Sequence, residues 1–126
     1  MTVAAREHPA HRILLVEDDD IMRASLEDRL AMEGLETVSA ADLASARDSL
    51  IRTGADLVIT DMRLPDGSGH DLFEVVRRDH PGTPVIVITA YGSIPDAVGL
   101  TKAGAVDYVI KPFDIDLLMD LVQRTI

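Results

Sequence analysis

Five polar side chains that could take part in chemistry stand at, or directly after, the ends of short apolar runs. Three are acids, one is a hydroxyl and one is an ammonium: Glu17, Asp18, Asp61, Thr89 and Lys111. Carboxylates that lie a few ångströms apart repel one another and raise each other's pKa values unless a cation neutralises them. If the fold brings these acids together, they predict a site for Mg²⁺, which binds a few carboxylates while it keeps several waters.

The hydroxyl and the ammonium are suited to hold the oxygens of a phosphoryl group. Thr89 would donate a hydrogen bond, and Lys111 would act as a point charge. Mg²⁺ could draw in a further phosphoryl oxygen and stabilise charge during in-line transfer. The sequence has no Gly-rich Lys-Ser/Thr loop of the kind that cradles nucleotide phosphates, so a nucleotide is not the expected ligand. We therefore predict phosphoryl transfer onto one of the carboxylates, which would form an acyl phosphate.

Alternating apolar and amphipathic segments predict the elements that must position these side chains. Five short apolar runs are typical of strands buried on both faces, and a helix-like stretch follows each of them. The runs are residues 13–16, 37–38, 57–59, 85–88 and 106–110. This pattern predicts an α/β fold, a single domain whose open, doubly wound parallel sheet has helices on both faces. Ligands of such sheets bind beyond the carboxyl ends of the strands, where the five polar residues are expected.

Local patterns predict details of individual helices. Asp42 is expected to be the N-cap of the second helix. Residues 93–96, Ser-Ile-Pro-Asp, predict that the fourth helix begins with a capping box at Ser93 and has a proline in its first turn. In the last helix, four residues are expected to face the core: Leu117, Leu118, Leu121 and Val122.

Length and composition restrict the class of protein further. The 126 residues suffice for one domain, and we expect a loose tail over residues 1–11 and a folded domain over residues 12–126. The apolar runs are far shorter than the roughly 20 residues of a membrane-spanning helix, and there is no cysteine for disulfides. A net charge of −10 argues against nucleic-acid binding by this domain. We expect a cytoplasmic domain that contacts no membrane.

Four segments resemble, in their order and spacing, the signature of response-regulator receiver domains of two-component systems. They are Val-Glu-Asp-Asp at 16–19, Asp-Met-Arg-Leu-Pro-Asp-Gly-Ser-Gly at 61–69, Ile-Thr-Ala at 88–90 and Lys-Pro-Phe at 111–113. Acid pairs and Lys-Pro are common singly, but here all four segments fall at predicted strand ends. The resemblance extends over about residues 12–125. It implies a flavodoxin-like domain of five βα units with the strand order 2-1-3-4-5.

The resemblance implies a metal site and an acceptor. Asp61 matches the phosphoacceptor aspartate, and Glu17 and Asp18 match the acidic pair that holds Mg²⁺ together with it. Arg63 matches the position whose backbone carbonyl completes the metal shell. Glu17 stands where many family members have Asp, so its longer side chain could reach the metal through water. The Arg63 side chain places a long cation beside the acceptor, where it could alter the lifetime of the phosphoryl group.

The resemblance also implies a phosphate-binding pair and a switch. Thr89 and Lys111 match the hydroxyl and the ammonium that contact the phosphoryl group. Tyr108 matches the aromatic residue that turns inward when the threonine moves. The peptide bond between Lys111 and Pro112 is expected to be cis.

A receiver of this kind would be a phosphorylation-activated switch and not an enzyme. A partner histidine kinase would phosphorylate Asp61 in a Mg²⁺-dependent reaction, and the phosphorylated domain would control an output domain or a partner. Residues 90–97, 102–108 and 111–114 look most like receivers at the head of sigma-54-dependent transcription activators. That likeness implies transcription regulation through a C-terminal AAA+ and DNA-binding region. Self-association through the fourth helix, fifth strand and fifth helix is a further expectation.

Three other interpretations remain open at this point. The domain could be a stand-alone regulator. It could be a Mg²⁺-dependent phosphohydrolase with an aspartyl-phosphate intermediate, although such enzymes usually have a DxD motif, and Arg63 stands where the second acid would be. It could also be a degenerate receiver that serves only as an interaction module, although such a domain would be expected to lack the acceptor, an acid or the lysine.

Overall fold

The chain folds as successive βα units. The computed structural model describes residues 11–126, so residues 1–10 of the predicted tail lie outside the described residues. The strands are β1 (Arg12–Val16), β2 (Glu36–Ala40), β3 (Leu57–Asp61), β4 (Val85–Thr89) and β5 (Asp107–Ile110). The helices are α1 (Asp20–Met32), α2 (Leu43–Arg52), α3 (Gly69–Asp79), α4 (Ile94–Ala103) and α5 (Ile115–Thr125). A short hairpin, Arg63–Leu64 with Gly67–Ser68, precedes α3, and a 3₁₀ turn, Tyr91–Ser93, precedes α4.

The five strands form one parallel sheet in the order β2-β1-β3-β4-β5. The predicted doubly wound α/β fold and the strand order 2-1-3-4-5 are therefore confirmed. The continuous apolar runs of β1, β3 and β4 occupy the centre of the sheet, where side chains on both faces are buried. β2 and β5 form the two edges and are less buried.

Alternate residues of each central strand enter two apolar layers. Leu14 and Val16 of β1 pack with residues of α2, α3 and α4, whereas Ile13 and Leu15 pack with residues of α1 and α5. One run supplies both layers because successive side chains of a strand point to opposite faces. Burying one such side chain contributes about 1.5–3 kcal/mol of stability. The sheet is thus held between two helical layers, and its carboxyl edge is a fixed support for polar side chains.

Side-chain caps fix two helix starts near that edge. Asp42 accepts a hydrogen bond from the backbone N–H of Ser45 at 2.7 Å, which confirms the predicted N-cap of α2. At the start of α3, Ser68 and Asp71 form a reciprocal capping box with two hydrogen bonds of 3.1 Å. The capping box satisfies backbone N–H groups that the first turn of a helix leaves unpaired.

The capping box predicted at the start of α4 is wrong. Ser93 is the last residue of the 3₁₀ turn, has a ψ of 5° and makes no capping hydrogen bond. A side-chain cap needs an extended backbone at this residue, whereas Ser93 N–H closes the turn on Ala90 O at 2.9 Å. The Ser93 hydroxyl accepts a hydrogen bond from Arg63 instead. Pro95 does lie in the first turn of α4, as predicted.

The buried face of α5 is not made of the four residues that the sequence predicts. Leu118 and Val122 are buried as expected, but Leu117 is 65% exposed and Met119 is buried in its place. β5 begins at Asp107, one residue later than predicted. Among residues 11–126, no helix is both long and apolar enough to cross a lipid bilayer.

Candidate functional site

The carboxyl edge of the sheet brings together the polar residues that follow its central strands. Glu17 and Asp18 follow β1, and Asp61 ends β3. Each of these acids has an oxygen within 4.8 Å of an oxygen of the other two. Glu17 and Asp61 are buried, whereas Asp18 is exposed. The predicted acidic cluster therefore exists, with one side open to solvent.

Lys111 follows β5 and reaches across the edge of the sheet to two of the acids. Its Nζ donates a hydrogen bond to Asp61 Oδ2 at 2.7 Å. It lies 2.9 Å from Glu17 Oε1 as an ion pair. The geometry of that second contact does not make a directed hydrogen bond, so Glu17 Oε1 is a buried oxygen without a hydrogen-bond donor. One ammonium is thus shared between two buried carboxylates.

The environment shifts the pKa values of Glu17 and Lys111. Burial, the largest influence, raises the pKa of Glu17, and the Lys111 ammonium only partly opposes it. Burial also acts to lower the pKa of Lys111, but the hydrogen bond to Asp61 and the negative charges of Asp61 and Glu17 together outweigh it, so this pKa lies above its ordinary value. The site therefore keeps Lys111 charged while it penalises the negative charge of Glu17.

Asp61 is held by its own backbone neighbours. The second carboxylate oxygen, Oδ1, accepts a hydrogen bond of 3.2 Å from the backbone N–H of Arg63. On the other side, Gly69 at the start of α3 packs so closely that a Cβ there would lie 2.6 Å from the carbonyl oxygen of Asp61. Gly69 N–H also donates to Met62 O at 2.8 Å. The position of the acid is consequently fixed by the hairpin and by the first turn of α3.

Thr89 ends β4 and is completely buried. Its hydroxyl donates to Ala90 O at 3.0 Å. Tyr108 lies on the neighbouring strand, opposite Val87, and is half-buried against the apolar layer of α2, α3 and α4. The peptide bond between Lys111 and Pro112 is cis. The two predicted switch residues thus lie on adjacent strands, Thr89 at the carboxyl end of β4 and Tyr108 in the first half of β5.

Arg63 is an exposed residue whose guanidinium contacts the residue that precedes α4. Its Nε donates to Ser93 Oγ at 3.3 Å. The two residues line a cavity of about 340 Å³ next to the segment that follows Asp61, together with Met62, Gly67, Ser68, His70 and Asp96. The contact joins the segment after Asp61 to the beginning of α4.

Sequence reasoning missed three residues that hold the site in shape. Arg23 of α1 donates from Nη1 to Glu17 O at 2.8 Å, which anchors the acidic loop. Asp66 accepts from the backbone N–H groups of Leu43 and Ala44 at 2.7 and 3.0 Å. Gly69 belongs to the recognised segment 61–69, but that pattern does not show that its missing side chain lets α3 approach Asp61. Only Arg23 carried a local signal, as a base three residues after Asp20, with which it pairs.

Comparison with known proteins now identifies the class. Residues 13–123 match the family described as response regulator receiver domain. The chain therefore belongs to the response-regulator receiver family, which confirms the resemblance found in the sequence.

The chain is also similar to the receiver part of individual regulatory proteins. The chain is 47% identical over 115 residues to response regulator protein PilR of Pseudomonas aeruginosa, covering 91% of this chain. It is 42% identical over 115 residues to transcriptional regulatory protein GlrR of Escherichia coli, again over 91% of this chain. In both cases the match covers 26% of the relative, so the chain spans about a quarter of these proteins.

Solved structures agree with the fold. The receiver domain of NtrX from Brucella abortus has a TM-score of 0.84 and 33% identity, over 90% of this chain and 96% of that one. A response regulator receiver protein from Pseudomonas putida has a TM-score of 0.85 and 29% identity, over 93% and 98%. The chain is thus a receiver domain similar to those of response regulators and transcriptional regulators.

Proposed function

We propose that this receiver is a phosphoacceptor switch in which Asp61 takes a phosphoryl group from a partner histidine kinase. The observation that carries the proposal is the setting of the Asp61 carboxylate, which is 7% exposed and lies 2.7 Å from the Lys111 ammonium. Two further acids stand beside it. A nucleophilic oxygen and a cation able to receive a phosphoryl group therefore already lie together, and membership of the receiver family supports this role.

The residues around Asp61 fit Mg²⁺. Three carboxylate oxygens lie within 4.8 Å of one another, and the buried Oε1 of Glu17 has no hydrogen-bond donor. Glu17, Asp18 and Asp61 would hold the ion, and the backbone carbonyl of Arg63 would complete the protein ligands. When bound, Mg²⁺ supplies positive charge that offsets the acids and the oxygens of the transferring phosphoryl group.

In the proposed reaction, a carboxylate oxygen of Asp61 attacks the phosphorus of a phosphohistidine or of a small acyl phosphate. A P–O bond forms to Asp61 while the bond to the leaving group breaks, and the leaving group keeps that electron pair. Lys111 would hold a phosphoryl oxygen by its charge. The Thr89 hydroxyl, which donates to Ala90 O here, would turn to donate to another phosphoryl oxygen. The Tyr108 ring would then move into the space that Thr89 leaves.

We propose that the whole protein is a sigma-54-dependent transcription regulator in the cytoplasm. Its AAA+ and DNA-binding output region would lie C-terminal to this domain. The transcriptional regulators among the relatives support this, as does the fact that the chain spans about a quarter of their length. The phosphorylated receiver would control that output region.

Intact-mass analysis after incubation with acetyl phosphate and Mg²⁺ tests the acceptor. We expect one phosphoryl adduct that hydroxylamine removes, as it does from acyl phosphates, and that is absent without Mg²⁺. Asp61→Asn should abolish the adduct, because an amide is a far weaker nucleophile than a carboxylate. Asp79→Asn is the matched control, since Asp79 is an exposed acid paired with Arg78 away from the site. An adduct that persists in Asp61→Asn would overturn the assignment.

A further inference from the structure

The contact between Arg63 and Ser93 joins two parts of the molecule that sequence patterns leave separate. Arg63 follows the acceptor by two residues, and its backbone N–H already donates to Asp61 Oδ1 at 3.2 Å. Its guanidinium Nε reaches Ser93 Oγ at 3.3 Å, across 30 residues of sequence. Ser93 is 2% exposed and immediately precedes α4. A change of charge at Asp61 thus occurs next to a side chain that holds the start of α4.

The sequence around Ser93 is compatible with a second set of hydrogen bonds besides the set that the structure shows. In the structure Ser93 closes the 3₁₀ turn through Ala90, with ψ at 5°, and offers its hydroxyl to Arg63. The sequence Ser-Ile-Pro-Asp at 93–96 also matches a capping box, in which Ser93 would be extended and its hydroxyl would accept from Asp96 N–H. These two backbone conformations of Ser93 exclude each other. The residues at the beginning of α4 are thus compatible with a second conformation besides the turn that the structure shows.

We propose that Arg63 is a positioning residue that holds Ser93 in the turn and releases it when Asp61 is phosphorylated. This rests on the proposed function of Asp61. A phosphoryl group adds roughly −1.5 to −2 charges and three acceptor oxygens, and a guanidinium binds such oxygens more strongly than it binds a neutral hydroxyl. Arg63 would turn from Ser93 to the phosphoryl group, and Ser93 would become free to cap α4 with Asp96. The charge at Asp61 would in this way reset the first turn of α4.

The Arg63 Nε–H resonance reports directly on the hydrogen bond between Arg63 and Ser93. It would be compared by NMR in the wild type and in Ser93→Ala, each with Mg²⁺ and with or without beryllofluoride, a phosphoryl mimic. Without the mimic, we expect the Arg63 Nε–H shift to differ between the two proteins. With the mimic bound, that difference should be lost, because the guanidinium no longer contacts residue 93. Ser49→Ala, a half-buried serine of α2, is the matched control and should leave the resonance unchanged in both states.

Arg63→Gln tests the contact between Arg63 and Ser93 by changing Arg63 instead of Ser93. Without the mimic, the amide shift of Asp96 in this variant should already lie near its position in the mimic-bound wild type. If that amide stays at the position of the free wild type, Arg63 does not hold the start of α4 and the inference is overturned.

An error in the role of Arg63 and an error in the proposed function of Asp61 would give different results. Beryllofluoride binding is followed by the amide shifts of Asp61 and Thr89. If the mimic binds and Ser93→Ala still shifts the Arg63 resonance equally in both states, the proposed release is wrong while the acceptor site stands. If Ser93→Ala changes nothing in the free protein, the contact is absent in solution and the inference fails. If the mimic does not bind, the proposed function fails and this inference fails with it.

Discussion

At the scale of single residues, the site carries more negative than positive charge. The cluster has three acids, Glu17, Asp18 and Asp61, and one ammonium, that of Lys111, which contacts only Glu17 and Asp61. Glu17 is fully buried with one oxygen that lacks a hydrogen-bond donor, and burial raises its pKa. Buried groups of this kind destabilise a fold unless a partner satisfies them. The same excess of acid is what attracts a divalent cation.

The effect of the excess negative charge can be tested at Asp18, because it is the exposed acid of the cluster. Asp18→Ala should weaken Mg²⁺ binding by at least about tenfold, since even outer partners of metal ligands typically contribute 10–100-fold. Without Mg²⁺ the variant should melt at a higher temperature than the wild type, because it relieves repulsion between carboxylates. Titration calorimetry and thermal melts measure the two effects, with Asp28→Ala, an exposed acid of α1, as the control. Equal Mg²⁺ affinity in wild type and Asp18→Ala would contradict the assignment of Asp18.

At the scale of elements, the segment between β3 and α3 positions Asp61 by close packing. The hairpin pairs Arg63 with Ser68, and the following Gly69 touches the backbone of Asp61. Asp66, in the turn of the same hairpin, accepts from two backbone N–H groups at the start of α2. This segment therefore joins β3, α2 and α3 around Asp61.

Gly69→Ala should displace that segment. The new Cβ would lie 2.6 Å from Asp61 O and 3.1 Å from Met62 Cα, and neither backbone atom can move aside as a flexible side chain would. Overpacking of this kind typically costs about 1–3 kcal/mol of stability, and we expect slower phosphorylation by acetyl phosphate. Gly82→Ala is the control, because no atom lies within 4 Å of a Cβ there. Denaturant unfolding and the rate of adduct formation measure the change. The packing argument fails if the two variants are equally stable and react equally fast.

Asp66 should make stability depend on pH. Hydrogen bonds from the backbone of Leu43 and then of Ala44 lower the pKa of Asp66 in the folded protein. The stabilisation is therefore complete above the ordinary pKa of about 3.9 and is lost as the pH falls through the lower folded value. Asp66→Ala should lower the melting temperature at pH 7, and the difference from the wild type should shrink below about pH 4. Asp48→Ala removes an exposed acid of α2 as a control. A difference that stays constant down to pH 3 would show that the carboxylate charge does not matter.

The elements also show which features a single sequence can predict. Asp42 caps α2 as expected because its partner, Ser45, is three residues away and the local pattern contains both. The pattern at Ser93 is equally clear, but a contact with Arg63 and a 3₁₀ turn replace the cap. The role of Asp66 depends on residues more than 20 positions away. Local patterns thus predict local hydrogen bonds, and they fail where a distant side chain competes for the same group.

At the scale of the whole molecule, topology explains why the acidic cluster could be predicted. Parallel strands end at one edge, so residues that follow β1, β3 and β5 meet there although they are far apart in sequence. The sequence determines less about the surface that α4, β5 and α5 form. We call residues 94–126, which comprise α4, β5 and α5, the output surface. Apolar residues remain exposed on it, with Ile110 at 40% and Leu117 at 65%. No pattern within one chain specifies what covers such residues.

We predict that a second copy of the domain covers the output surface when Asp61 is occupied. Movement of Thr89 and Tyr108 would repack β5 and α4, which form this surface. Size-exclusion chromatography with light scattering should show a larger fraction of dimer with beryllofluoride and Mg²⁺ than without them. Ionic strength should be at least 0.15 M, where the screening length is about 8 Å, because each chain carries a net charge of −10 and two copies repel.

Leu117→Glu should keep the domain monomeric while Asp61 still forms its adduct, since it adds charge to an exposed apolar position. Ile51→Glu, at a position 80% exposed on α2, is the matched control and should dimerise as the wild type does. Equal dimer fractions in Leu117→Glu and Ile51→Glu would place the contact elsewhere on the molecule.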